Sequence, residues 1–477
     1  MKFEEIDEKL KEACGVVGLM IKDDKLAKET AYIAYLALNA LQHRGQESAG
    51  LICFEKNNEA RLIKDMGLVG QIFDDRRLNL LNGHLALGHV RYSTTGASEI
   101  CNAQPITLSN YHFKSLALAH NGNLVNTEEL RQELKNENIN CATTSDSEVL
   151  AHLINCKIIS LDKSEILASL KDSLSKAKGA FSLSICLGGQ YLIGVKDPQA
   201  FRPLCLGALE DEKGNLTGLV LASETCALDI MNARFIRELE PGEIILIDQD
   251  LNIESTFLPK VKQKSCLFEI IYFARPDSQI NNVQIHSFRE SLGQALAKTK
   301  NIPKGADIVI GVPDSGIPAA IGYAAESGIL YANGLIKNRY IGRTFIQPTQ
   351  SMRQLGIKLK LNALSSVVAG KSVILVDDSI VRGNTPRQLI KLLKLAGAKE
   401  VHMRISSPPI VWGCYYGIAM KDHELLARRL SSDIELIRKD LEADSLEYLD
   451  LDIILELTKQ DKQKFCTACF NGDYPIL

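Results

Sequence analysis

One stretch constrains the fold of this 477-residue chain more than any other: residues 372–386, SVILVDDSIVRGNTP. Residues 372–376 form a mostly apolar, β-branched run, the pattern of a strand buried on both faces. Two adjacent carboxylates follow, Asp377 and Asp378, and then a short loop with Gly383, Asn384 and Thr385. Beyond it Leu389, Ile390, Leu392, Leu393 and Ala396 recur at helical spacing until Gly397 stops the helix. The sequence therefore sets an acidic pair at the C-terminal end of a strand and a small polar loop at a helix N-terminus. Exposed backbone N–H groups and the helix dipole make such a loop a phosphate cradle. The carboxylates stand where adjacent ribose hydroxyls could donate to them. An ordinary βα turn with acidic decoration has the same local pattern.

A chain this long exceeds one core, because single cores rarely grow beyond about 250–300 residues. Net charge is −3 and hydrophobic content 45%. That balance excludes nucleic acid or an anionic membrane as the main partner. No apolar run is long enough to cross a bilayer, and the N-terminal MKFEEIDEKLKEA is too charged for a signal peptide. Twelve cysteines in this length are too sparse for a disulfide scaffold. Several, such as Cys53, Cys156 and Cys186, lie in apolar runs as buried thiols. A cytoplasmic, reducing location is expected.

The character of the chain changes at Cys14. Residues 14–21, CGVVGLMI, alternate small and apolar residues like a strand, and residues 27–41 read as a helix. The polar LQHRGQESAG (41–50) feeds another strand, 51–54. GHVRYSTTG (88–96) places Arg91 and Tyr92 at a strand end before a hydroxyl-rich loop. AHNGNLVN (119–126) follows an apolar strand, with a turn expected at Asn121-Gly122, a common hairpin dipeptide. TSDSEVL (144–150) opens a helix with an acidic first turn. Further strands are expected around the Gly188-Gly189 turn (179–195), at 219–222 and at 243–248. A polar, lysine-rich connector at 257–264 marks a domain boundary.

This order of motifs resembles the glutamine amidotransferase domain of the N-terminal nucleophile hydrolases, a four-layer αββα fold. The resemblance implies Cys14 as nucleophile, forming a glutamyl thioester and releasing ammonia. Its base would be its own free α-amine, which requires removal of residues 1–13 as a propeptide. Arg91 would grip the glutamine carboxylate bidentately and Asp146 would take its ammonium. The Asn121 side chain and the Gly122 N–H would form the oxyanion hole, with Arg44 and Tyr92 in support.

The second half begins at CLFEIIYFARPDS (266–278). ADIVIGVPDSG (306–316) is another buried strand ending in a loop, and the basic KNRYIGRTFIQPTQSMRQLGIKLK (337–360) follows. A solvated basic loop is one reading of that segment; a lid closing over a polyanion and excluding water is the other. The 372–386 string is similar to the phosphoribosyl-pyrophosphate signature of type I phosphoribosyltransferases, an α/β fold. That likeness implies a substrate site built from Asp314, Ser315, Gly316, Lys337, Arg343, Asp377, Asp378, Ser379, Arg382, Gly383, Asn384 and Thr385. Mg²⁺ would sit at Ser315, Asp377 and Asp378.

Cys266, Cys414 in WGCYYG and the pair Cys466 and Cys469 in FCTACF lie outside the first half. Spacing alone leaves zinc, a redox pair and iron–sulfur open. The whole chain from Cys14 resembles the iron–sulfur subgroup of the glutamine phosphoribosylpyrophosphate amidotransferases, in which these four positions would ligate a [4Fe–4S] cluster. The family resemblance implies domains at 14–257 and 265–477 after the propeptide, and synthesis of 5-phosphoribosylamine from glutamine and phosphoribosyl pyrophosphate, the first committed step of purine synthesis. It also implies a homotetramer inhibited by purine nucleotides. Asn384-Thr385-Pro386 and Ala419 depart from the usual pattern. An amino-sugar synthase would share the first half but gives no reason for VDDSIVRGNT. A non-catalytic phosphoribosyl-pyrophosphate or nucleotide sensor would not need Cys14, Arg91, Asn121 and Asp146 together, and glutaminase activity separates these readings.

Overall fold

Small and apolar residues after Cys14 form the strand Gly15–Ile21, and every residue of it is buried. Burial on both faces demands a layer on either side, and the computed structural model, which describes residues 14–92, 98–338 and 361–476, supplies them. Among the described residues this strand is central in a seven-stranded antiparallel sheet. Its order is Arg234–Glu238, Cys205–Glu210, Leu216–Ala222, Gly15–Ile21, Leu85–Arg91, Ser48–Phe54 and Ala60–Met66. A second, six-stranded antiparallel sheet runs Ile253–Phe257, Glu243–Ile247, Tyr191–Lys196, Gly179–Leu187, Lys114–Leu124 and Ile106–Asn110.

The sheets face each other through Val16, Met20, Leu85 and Leu87 on one side and Ala117, Ala119, Cys186 and Leu192 on the other. The helix Thr30–Ala40 covers the first sheet, packing Ala34, Ala37 and Leu38 near Val17 and Leu19. The helices Asp146–Asn155 and Lys163–Leu174 cover the second through Val149, Leu153, Ile166 and Leu170. The result is the expected αββα stack, each sheet apolar on both faces. Two local expectations change. The 27–41 segment opens with a 3₁₀ turn, Leu26–Glu29, and becomes α-helical at Thr30. Asn121-Gly122 is no turn: the strand Lys114–Leu124 runs straight through it, pairing Asn121 with Ser182 and Gly122 with Phe181.

Residues 258–264 carry no regular structure. Beyond them lies a parallel sheet in the order Ile308–Gly311, Ser372–Asp377, Glu400–Ile405 and Ser445–Tyr448. Side chains of the strand Ser372–Asp377 alternate between two cores. Ile374 and Val376 join the helices Ile285–Thr299 and Ile317–Ser327. Val373 and Leu375 join Asn384–Leu395 and Ile434–Leu441. Helices on both faces explain the uninterrupted apolar run in the sequence.

After Ile308–Gly311 the chain passes first to Tyr331, which bridges in parallel to Val309, and only later to Ser372–Asp377 on the opposite side. The direction of winding therefore reverses beside Ile308–Gly311. In open α/β sheets the crevice at the carboxyl ends of strands flanking such a reversal is where ligands bind.

Candidate functional sites

Gly15 pairs with Val90, so Cys14 sits beside the end of the strand Leu85–Arg91. Its Sγ–H donates to the Tyr92 carbonyl at 3.4 Å. Burial pushes the thiol pKa up, and the hydrogen bond and the nearby Arg91 charge partly offset it. Its carbonyl accepts from Arg44 Nε at 2.9 Å. Arg91 is buried and ion-paired with Glu47. Asp146 begins the helix Asp146–Asn155, and its Oδ2 accepts from the Leu124 N–H at 3.1 Å, tying that helix end to the Asn121 strand. The hydroxyl-rich residues 93–96 lie outside the described residues.

Asn121 is fully buried, and neither polar atom of its side chain has a hydrogen-bond partner among the described residues. A buried amide left unpaired is costly unless something else uses it. Gly122 has φ +154°, and a Cβ there would collide with the Ala180 carbonyl, so glycine alone keeps this strand paired. The Asn-Gly dipeptide thus serves close backbone approach rather than chain reversal.

In the parallel sheet, Asp377 ends its strand and both it and Asp378 are buried. Ser379 Oγ donates to Asp378 Oδ1 at 2.6 Å, whereas Asp378 Oδ2 is buried without a partner among the described residues. Gly383 is the N-cap of the helix Asn384–Leu395, so Asn384 and Thr385 occupy its first turn. Asn384 Oδ1 accepts from Arg387 at 3.2 Å, and Arg382 pairs with Glu424. Gly316 caps the helix Ile317–Ser327 and lies against the other loop: a Cβ there would stand 3.1 Å from Asp377 Cα. Asp314, two residues earlier, pairs with Lys337 at 2.6 Å, and Ser315 lies between. The two strand-end loops are therefore brought together. Arg343, with the rest of 339–360, lies outside the described residues.

The four cysteines of the second half converge from distant segments. Cys266 and Cys466 are register partners in a short parallel ladder, Ser265–Cys266 with Phe465–Cys466. Cys414 Sγ accepts from the Tyr416 N–H at 3.3 Å, and the Cys469 carbonyl accepts from Val411 and Trp412 at 3.0 and 3.1 Å. Burial pushes all of Cys266, Cys466 and Cys469 up; Cys469 also feels the charge of Cys266, Cys466 and Cys414, Cys466 that of Cys266 and Cys414, and Cys266 that of Cys414. All four are free thiols. Among the described residues no three or more His, Cys, Asp or Glu side chains are arranged to hold a single metal ion.

A glutamine amidotransferase domain model matches residues 89–229, and a phosphoribosyl transferase domain model matches residues 284–406. The amidophosphoribosyltransferase of Synechococcus elongatus is 50% identical over 466 residues, covering 98% of this chain and 92% of that protein. The chain belongs to the amidophosphoribosyltransferase family. The amidophosphoribosyltransferase of Archaeoglobus fulgidus is 45% identical, with 97% of this chain and 98% of that one covered. The solved glutamine phosphoribosylpyrophosphate amidotransferase from B. subtilis, complexed with ADP and GMP, is 42% identical and superposes with a TM-score of 0.87, over 97% of this chain and 98% of that one. An N-terminal-nucleophile amidotransferase domain followed by a phosphoribosyltransferase domain is the fold of this amidophosphoribosyltransferase family member.

Several buried charges around these sites, Glu224, Glu269, Arg202 and Arg289, escaped the sequence reading, whereas their partner Arg44 was among its candidates. Arg44 reaches Glu224 and, through NH2 at 2.7 Å, Glu269; Arg202 reaches the same Glu269 at 2.9 Å. Arg289 lies buried near Asp378, donating to the Ile270 and Ala274 carbonyls at 3.1 and 2.9 Å. Burial holds its pKa down at about 10, while the Asp378 charge works in the opposite direction. Only Glu47, inside LQHRGQES, carried a local signal.

Proposed function

We propose that this chain is an amidophosphoribosyltransferase that releases ammonia from glutamine in residues 14–257 and adds it to C1 of phosphoribosyl pyrophosphate in residues 265–477. The observation that carries the reading is the buried amide of Asn121 beside Gly122, without a partner among the described residues, in one polypeptide with the Asp377–Asp378 pair at the sheet's switch point.

In the first step Arg91 and Asp146 hold the two charged ends of glutamine, with Arg44 and Tyr92 in support. Cys14 Sγ attacks the side-chain amide carbon, and the developing oxyanion takes hydrogen bonds from Asn121 Nδ2 and the Gly122 N–H. With residues 1–13 removed, the Cys14 α-amine accepts the thiol proton; such amines have pKa values of about 7.7–8.0. The proton passes to the departing nitrogen, ammonia leaves, and water hydrolyses the thioester. In the second step Asp377 and Asp378 accept from the ribose hydroxyls. The loop Asp314, Ser315, Gly316 with Lys337 holds the diphosphate, and Ser379, Arg382, Gly383, Asn384 and Thr385 hold the 5-phosphate. Ammonia donates its lone pair to C1 as the C1–O bond to diphosphate breaks. Arg343 and the basic segment around it would exclude water.

Ser315, Asp377 and Asp378 would hold Mg²⁺, which neutralises the leaving diphosphate. The oxygen of Asp378 that has no partner among the described residues suits that ion, since Mg²⁺ takes one or two carboxylates together with phosphate oxygens and water. Cys266, Cys414, Cys466 and Cys469 would hold a [4Fe–4S] cluster, a structural clamp of soft thiolate donors. Four cysteines outside any disulfide, with Cys469 close enough to feel the charge of the other three, support that assignment. We further propose a cytoplasmic homotetramer inhibited by purine nucleotides; the relative solved with ADP and GMP supports the nucleotide part. Among the described residues no helix is long and apolar enough to cross a membrane.

The test is formation of phosphoribosylamine with glutamine or with ammonia as nitrogen donor. Cys14→Ser is expected to abolish the glutamine-dependent reaction and glutaminase while sparing the ammonia-dependent one. Glutamine turnover that persists in this variant rejects the amidase assignment.

A further inference from the structure

Glu269 belongs to the second half of the chain, in a π-helical turn Glu269–Phe273, yet its buried carboxylate faces the first half. Oε1 accepts from Arg44 NH2 at 2.7 Å and from Arg202 NH1 at 2.9 Å, and Oε2 accepts from Arg44 NH1 at 3.1 Å. Both arginines are buried, and both continue beyond Glu269. Arg44 donates through Nε to the Cys14 carbonyl at 2.9 Å and pairs on its other side with Glu224. Arg202 donates through Nε and NH2 to the Tyr416 carbonyl at 3.1 and 2.8 Å.

The Tyr416 end returns to the first half. Gly417 has φ +106°, and a Cβ on it would stand 3.1 Å from the Gly122 carbonyl carbon and 3.2 Å from Arg202 NH2. Beside it, Asn123 Nδ2 donates to the Tyr415 carbonyl at 3.0 Å, and Tyr416 stacks on Phe201 with ring centroids 4.2 Å apart. One carboxylate from the transferase half thus anchors two branches. One ends on the backbone of the nucleophile, the other on the backbone of the oxyanion glycine.

We propose that Glu269 is a positioning residue of the glutaminase site, through which the second half of the chain sets the Cys14 backbone by way of Arg44 and the Gly122 backbone by way of Arg202 and the Tyr416–Gly417 loop. The inference rests on the proposed roles of Cys14 and Gly122. Its physical basis is geometric: nucleophile and oxyanion donors must agree in position to well under an ångström, and a misplacement of about 1 Å costs on the order of a hundredfold in rate. A guanidinium held on both edges is a rigid spacer between two backbones.

The test compares Glu269→Gln with wild type in the full-length chain. Glutamine at 269 keeps the shape but loses the charge and turns one acceptor into a donor facing an arginine. Glutaminase kcat is expected to fall more than about tenfold, KM for glutamine to change less than about threefold, and ammonia-dependent synthesis to stay within about twofold. Unchanged glutaminase kcat, a loss expressed mainly in KM, or a parallel loss of both activities overturns the proposal. If Glu269→Gln does not fold, Gly417→Ala is read by the same criteria, because it removes no ion-pairing group and its Cβ presses on Gly122 and on Arg202 NH2. Cys14→Ser runs alongside. Glutaminase surviving in that variant rejects the underlying site, whereas its loss with an unaffected Glu269→Gln rejects only the positioning role.

Discussion

Lys337 Nζ lies 2.6 Å from Asp314 Oδ2, joining the strand Leu335–Lys337 to the loop proposed to hold the diphosphate. Both side chains are more than half exposed, so the pair contributes only about 0–1 kcal/mol to stability. Its value is in place rather than energy: an ammonium is kept beside the loop proposed to receive a polyanion. Lys337→Ala is expected to raise KM for phosphoribosyl pyrophosphate about tenfold in either nitrogen-donor assay. The thermal midpoint should move by no more than about 2 °C, and glutaminase alone should be unchanged. Steady-state kinetics with an unaltered KM would assign the pair to the protein surface.

Asp378 stands in the opposite situation. It is buried, one oxygen is engaged by Ser379 Oγ, and the other has no partner among the described residues. A hydrogen bond to a charged acceptor is worth roughly 1.5–3 kcal/mol, and orienting C1 adds to that. Asp378→Asn should therefore lower glutamine-dependent and ammonia-dependent synthesis together by about ten- to a hundredfold. Basal glutaminase should survive, because that chemistry is proposed for the other half of the chain. Normal ammonia-dependent synthesis would remove Asp378 from the site.

These two predictions rest on residues whose local sequence already announced them. The run 372–376 could be read as doubly buried because every side chain in it is apolar or small, and the structure covers both faces with helices. Asn121-Gly122 was legible as a special pair but not as a strand. The dipeptide is common in hairpins, and only the Ala180 carbonyl, brought across by a strand about sixty residues away, explains why glycine is required. Glu269, Arg202 and Arg289 left no trace. A single charged residue in an apolar run looks like a surface position until tertiary folding supplies its partners. The pairing of Arg91 with Glu47 shows the same limit, since nothing in the spacing of the two motifs brings them together.

Asp197 gives a pH signature. It is fully buried, and its carboxylate accepts from the Phe181 N–H at 3.3 Å and from the Phe201 N–H at 3.2 Å to Oδ2 and 3.3 Å to Oδ1. Burial pushes its pKa from 3.8 up to about 7, against those hydrogen bonds. Between these values the folded chain keeps a proton that the unfolded chain has lost. Stability from this group therefore falls as pH rises through that window, by at most about 1.4 kcal/mol per pH unit, and is flat above it. Asp197→Asn removes the titration. The difference in Tm, wild type minus variant, is expected to fall between about pH 4.5 and pH 7 and then level off. A difference independent of pH would mean that Asp197 ionises normally in the fold.

The last prediction concerns the four cysteines. Cys266 enters the second half, Cys414 lies late in it and Cys466 and Cys469 close it, so any group bound by all four closes long loops. The fold already brings these segments together. Cys266 and Cys466 share a ladder, the Cys469 carbonyl accepts from the segment that leads to Cys414, and Tyr474 Oη donates to the Gly413 carbonyl at 2.6 Å. Neither transfer of an amide nitrogen nor displacement of diphosphate moves electrons, so a structural clamp suits the chemistry better than a redox centre. Anaerobically purified protein is expected to carry about four irons and four sulfides per chain. Cys466→Ser should give insoluble or misfolded protein, because a three-thiolate site no longer holds the tail against the core. Stoichiometric zinc without iron in active protein would overturn the cluster and leave the clamp in place, whereas soluble, fully active Cys466→Ser would remove the clamp itself.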